Sequence, residues 1–366
     1  MRQNLTRNDT LVLKGIAILA IVLHNFFHLL GRVRESEFNF DPARFRIFLS
    51  TVKDPGQAVP AIFAYLGHFG VQVFIFLSAY GLARRYWDAP AGVGFIWRRV
   101  KKIYAPLIVA VVAWLLLVGL QPDTHGPLAL LSRHGANLAL MFAGISNLWP
   151  GLDLPPIGPW WFVPFIIQWY CLWSLARRFA NRFGTRGLLA LAGGGLLVTA
   201  TTNAWLSPWN LNLLETPLGH LPELCFGIIV ARSGFRFRAW SMLLACAVFV
   251  AANLSARLWM LSFPSALFLA IGAYLKCGHI LRYITPALAY VGSSSMEIFL
   301  INGFVRLPFL GWALAESRPA AILAIGLLAA ACSIALGRLM GIPGRRGLAT
   351  EASRDRHRSA TPVTTT

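Results

Sequence analysis

The sequence predicts an all-α, polytopic integral membrane protein of about ten transmembrane helices with both termini cytoplasmic. Three observations predict it. Of 366 residues, 57% are hydrophobic and only 13% charged, where a soluble domain carries about 25% charged residues; mean hydropathy is +0.60. Apolar runs recur at lengths near the ~20 residues that a helix needs to cross hydrocarbon. The basic residues cluster between alternate runs, as topology signals do.

The runs fall at about 11–31, 60–83, 103–120, 158–176, 187–204, 217–232, 239–254, 258–275, 285–304 and 320–338. Lipid offers the backbone no hydrogen-bond partner, so each run closes its own bonds as a helix. The alternation of a barrel strand is absent. With the N-terminus inside, Arg2 and Arg7 are cytoplasmic, and so are Arg84, Arg85, Arg98, Arg99, Lys101 and Lys102. The clusters Arg177–Arg186 and Arg232–Arg238, then Lys276 and Arg282, then the tail arginines, all return to that side. Residues 127–147 are moderately apolar but hold Arg133 and His134. Counting them as a span would put Arg177–Arg186 outside, so 121–157 reads as an outer segment with a re-entrant or surface helix. Residues 1–340 form the transmembrane domain, and 341–366, basic and poor in large apolar side chains, read as a disordered cytoplasmic tail.

The net charge is +19, from 33 Lys+Arg against 14 Asp+Glu. No basic stretch sits in a soluble module, so nucleic acid is excluded as a partner. Cys171, Cys225, Cys246, Cys277 and Cys332 are odd in number and lack CxxC spacing, which argues against a disulfide framework or a metal site. The first run lacks a small-residue cleavage site, so no cleavable signal peptide is expected.

Ionisable groups inside a membrane are costly, and each marks a functional position by default. The first run, LVLKGIAILAIVLHNFFHLL, has Lys14 near its inner end and His24, Asn25 and His28 near its outer end. His24 and His28 are four apart and share a helix face. Such a pair can ligate zinc, but the sequence shows no further ligands, so no metal is expected; a bis-histidine haem, with His68 or His220, has no better support. In a dry site a histidine suits the role of general base.

These residues carry a resemblance to the membrane acyltransferase-3 family, which O-acylates sugars and related acceptors. LKGIAILAIVLH resembles its first-helix pattern LRGIAALLVVLFH, with Lys14 in place of Arg. The family's histidine stands eleven positions after its basic residue. Here that slot holds Asn25, while His24 comes at ten and His28 competes. GHFGVQVFIFLSAYGLARR resembles GVxxFFxLSGFL, and FIWRRVKKIYAP resembles FxxRRxxRIxP. GPWWFVPFIIQWYCLW resembles the family's hxWFLxxxxQFY segment, and LPELCFGIIVAR its LPEFLLGIL segment, with Glu223 expected to pair with Arg or Lys or to act in the site. YVGSSSMEIFLINGF resembles GKISYSLYLIH, with Asn302 where His is common and Glu297 an added carboxylate. The resemblance runs over about 8–340.

The resemblance implies a multi-pass enzyme of the bacterial inner membrane. It would move an acyl group, most often acetyl, from acyl-CoA as co-substrate to a hydroxyl of an extracytoplasmic or membrane-associated glycan or glycoside, with no tightly bound cofactor. His24 is the expected general base, with His28 and Glu297 as further catalytic candidates. Lys14 is expected at the thioester carbonyl region. Arg84, Arg85, Arg98, Arg99 and Lys102 would hold the CoA phosphates, since Arg and Lys suit phosphate. Trp160, Trp161 and Asn302 would face the acceptor. Ser78 and Ser295 are candidates should a covalent acyl-enzyme form. The competing class is an exporter of a polysaccharide or lipid-linked sugar, which buried Glu223 and Glu297 permit, though no repeated half or paired broken helix supports it.

Overall fold

The structure, a computed structural model, describes residues 4–121, 124–151 and 155–341. The predicted tail from 342 onward lies outside the described residues. Within them the helices are α1 (Arg7–Phe27), α2 (Pro42–Thr51), α3 (Pro55–Leu66), α4 (Gly70–Arg85), α5 (Val93–Gly119), α6 (Pro127–Phe142) and α7 (Phe162–Leu206). They continue as α8 (Leu221–Ser233), α9 (Ala239–Leu254), α10 (Ser262–Cys277), α11 (Thr285–Gly292), α12 (Ser295–Val305), α13 (Leu307–Ala315) and α14 (Pro319–Met340).

Each of the ten apolar runs falls on helix, but length and composition alone give a smaller count of spans. Among the described residues six helices are long and apolar enough to cross a bilayer, and the α11–α12 pair, bent by 77°, makes a seventh if counted as one span. The runs 158–176 and 187–204 lie on the two segments of α7, which Gly184 separates by a break at φ 59°. α8 and α9, at 13 and 16 residues, fall short of the usual span length. α6 covers the ambiguous 127–147 segment as a helix of 16 residues.

α1 begins at a capping box. Thr6 Oγ1 accepts from the Asp9 amide at 3.1 Å, and Asp9 returns a carboxylate oxygen to the Thr6 amide at 2.8 Å. The helix then runs through the centre of the bundle, against α3, α4, α11, α12 and α14. Small residues allow that packing, as is usual where lipid supplies no hydrophobic drive. Gly15 meets the carbonyl of Leu288 on α11, and Gly292 meets that of Leu11 on α1, with no room for a Cβ at either. Between α3 and α4, a Cβ at Gly67 would lie 2.5 Å from the Ala20 carbonyl and 2.6 Å from the His24 Cβ. The absence of that methyl lets the turn carrying His68 press against α1. Large apolar side chains such as Leu116, Leu175, Leu197 and Leu243 remain outside, as a lipid-facing surface requires.

Candidate functional site

Polar groups gather at the two ends of α1. At its Lys14 end a cavity of about 400 Å³ opens among α1, α4, α5, α7 and α12. Lys14, Arg85, Arg99 and Lys102 supply its positive charge. Ile21, Phe162, Ile166 and Phe299 form its apolar part. Ser78 and Ser295 both line it, and the Ser78 hydroxyl makes no hydrogen bond. Arg99 is held rather than loose: its guanidinium sits 4.8 Å from the Tyr170 ring centre and donates to the Tyr170 hydroxyl at 3.3 Å. Tyr170 and Tyr86 also line the cavity, though the resemblance assigns neither a role. Lys14 lies in the electrostatic field of Arg99 and Glu297. Glu297, half-buried near the start of α12, does not line the cavity itself. Arg84 and Arg98 are exposed and also lie off the cavity wall.

At the other end of α1, His24 is 3% exposed, and its Nδ1 is 3.0 Å from the Ala64 carbonyl oxygen. Donation to that oxygen leaves Nε2 with its lone pair. His28 lies beside it, ring centres 4.6 Å apart, with Nδ1 at 3.2 and 3.3 Å from the two Glu35 oxygens. His68 is fully enclosed, with its ring 5.5 Å from that of His24, and neither of its nitrogens makes a well-formed hydrogen bond. The segment carrying Glu35 is pinned in place. Arg44 donates to the Glu35 carbonyl at 2.5 Å, and Trp259 donates to the Ser36 carbonyl at 2.9 Å.

Glu35 and Glu37, two residues apart, are driven in opposite directions. Burial pushes the Glu35 carboxyl up, but the His28 hydrogen bond and the neighbouring histidines outweigh it and hold it well below the usual range. Burial, with Glu35 and Glu215 nearby, pushes Glu37 well above it. Neither carboxylate is part of a sequence motif, and no local pattern announces that the chain turns back on His28.

The remaining predicted residues are engaged inside the bundle. Trp160 is fully buried and donates its indole N–H to the Leu300 carbonyl at 2.7 Å. Trp161 is buried against Phe38 and His220. Asn302 accepts from Asn25 at 2.9 Å and donates to the Phe299 carbonyl at 2.6 Å. Glu223, expected to pair with Arg or Lys or to act in the site, lies 3.6 Å from His220 Nδ1, both fully enclosed.

His24 is not among the residues lining the cavity, which ends at Ile21, one turn below it. The two ends of α1 are thus a basic pocket and a histidine–carboxylate cluster, divided by an apolar collar. No curated protein and no solved structure matches the chain. A family model described as an acyltransferase domain matches residues 11–338, nearly the whole length. By that match, the chain belongs to the acyltransferase-3 family, whose members carry out membrane acyl transfer to hydroxyl acceptors.

Proposed function

We propose that the protein moves an acyl group, acetyl foremost, from acyl-CoA on the cytoplasmic side to a hydroxyl of a glycan or glycoside on the other side of the bacterial inner membrane. The observation that carries this reading is the basic cavity, which points along α1 toward the histidines. Its volume is in the range of small-ligand pockets. Arg85, Arg99 and Lys102 at its rim suit the phosphates, and its apolar upper wall suits the acyl-pantetheine arm. Ten spans with both termini cytoplasmic accord with the placement of the arginines and lysines.

Lys14 and His24 are ten positions apart, about 15 Å along a helix. They cannot act on the same atom. This moves Lys14 from the thioester carbonyl to the phosphate end, and leaves the reacting carbon near Ile21 and His24. His24 takes the proton of the acceptor hydroxyl on Nε2 as the oxygen attacks the thioester carbonyl. The tetrahedral intermediate collapses, the C–S bond breaks, and the CoA thiolate leaves and is protonated. Glu35, through His28, stabilises the positive charge that His24 gains. The walls of the bundle keep water from the thioester.

Mass spectrometry of envelope glycans and small glycosides from cells with and without the protein tests the reading. A gain of one acyl mass on one species is expected. Movement of a glycan across the membrane with no dependence on acyl-CoA and no mass change would overturn it in favour of an exporter.

A further inference from the structure

One donor atom from each of His24, His28 and Glu35 lies within 4.8 Å of the other two, and no other trio of such side chains comes together among the described residues. Zinc with bonds of about 2.0–2.2 Å has tetrahedral edges near 3.3–3.6 Å. The His28 Nδ1 to Glu35 Oε2 separation is 3.2 Å, just short of such an edge, so that pair needs little movement to share an ion. His24 has the outer contact that metal-bound histidines have, one ring nitrogen on a backbone carbonyl, here Ala64 at 3.0 Å.

His68 is a second, independent observation. Its ring is 1% exposed and stands 5.5 Å from that of His24, with a loose contact to the Tyr65 backbone as its polar partner. A buried imidazole has two nitrogens to satisfy, so the other is open to a further partner. It stands where a fourth donor, or a partner for metal-bound water, belongs. Imidazoles with one carboxylate suit zinc and its neighbours, whereas magnesium and calcium take oxygen shells.

We propose that His24, His28 and Glu35, with His68 beside them, bind a zinc-class dication, and that the ion competes with the substrate proton for the same lone pairs. Metal binding takes His28 as a neutral imidazole and Glu35 as a carboxylate, so any proton on those ligand atoms leaves to solvent. The binding claim stands on the geometry alone; the competition rests on the base role proposed above.

The test uses the full chain without a histidine tag, purified in detergent, stripped with EDTA and titrated with Co²⁺ alone. One equivalent should give the visible absorption of four- or five-coordinate cobalt, and Zn²⁺ should abolish it. Glu35→Gln and His28→Gln should each weaken cobalt binding about tenfold or more, with thermal melting confirming that each variant is folded. No absorbing complex in the wild type, or unchanged affinity in both folded variants, overturns the site. Zinc should also slow acyl transfer; a rate that zinc leaves unchanged or raises overturns the competition. If no acyl transfer is found at all, the cobalt titration still decides the site.

Discussion

Asn25 on α1 donates to the side-chain oxygen of Asn302 on α12 at 2.9 Å, across 277 positions of sequence. Both asparagines stand where the family pattern favours histidine, so the two departures meet in one hydrogen bond. Buried side-chain bonds between membrane helices contribute about 0.6 kcal/mol on average, and up to about 1.7. A cycle of Asn25→Ala, Asn302→Ala and the double variant, read by unfolding in detergent, should give a coupling of about 1 kcal/mol. Additive losses would show that the pair is not coupled.

Gly67 admits His68 to its place beside His24. A side chain there would strike the Ala20 carbonyl and the His24 Cβ. Gly67→Val should therefore lower acyl transfer about a hundredfold by displacing the base, while membrane insertion is kept. Equal activity in wild type and variant would break the link between this packing contact and the site.

Ile21 closes the cavity one turn below His24. Ile21→Trp should leave acyl-CoA binding near the wild-type value but cut the transfer rate, because the arm can no longer reach the histidine. Loss of binding with an unchanged rate at saturation would place the reacting carbon elsewhere. At the other end of the cavity, Arg99→Gln or Lys102→Gln should raise the KM for acyl-CoA about tenfold, the cost of one charge-assisted hydrogen bond. Arg98, exposed and off the wall, should cost less when changed to Gln.

The carboxyls of the 31–41 segment give a pH dependence with opposite signs. The folded state holds Glu35 below its ordinary value, so its contribution is full above about pH 4.3 and fades as the pH falls below that. It holds Glu37 above, so the protonated form contributes fully below about pH 4.3, and that contribution is lost as the pH rises through the raised value. Melting curves in detergent should show the advantage of wild type over Glu35→Gln shrinking toward acid. The advantage over Glu37→Gln should shrink toward alkali. Parallel curves for both variants would remove the opposed shifts.

The helices were legible because lipid enforces them: apolar length and arginine placement located each run. The number of spans was less legible. α8 and α9 are shorter than a bilayer requires, and the runs 158–176 and 187–204 follow one another across a break at Gly184 with little loop between them, features that hydropathy averages over. The basic cavity was readable from Arg99 and Lys102 because local charge survives folding. The histidine end was only half readable. His24 and His28 share a helix face by spacing, but Glu35 and His68 reach them through a pinned loop and a glycine contact, which no local pattern encodes. Trp160, expected from the resemblance to face the acceptor, is buried and donates to the Leu300 carbonyl, a contact across 140 positions that no local pattern encodes.

Acyl transfer by His24→Ala, measured as the acyl mass gained by the acceptor in membranes that contain equal amounts of wild-type or variant protein, bears most directly on the central claim. A product is expected with wild type and none above background with the variant. A variant that acylates at the wild-type rate would contradict it and take the base away from this residue.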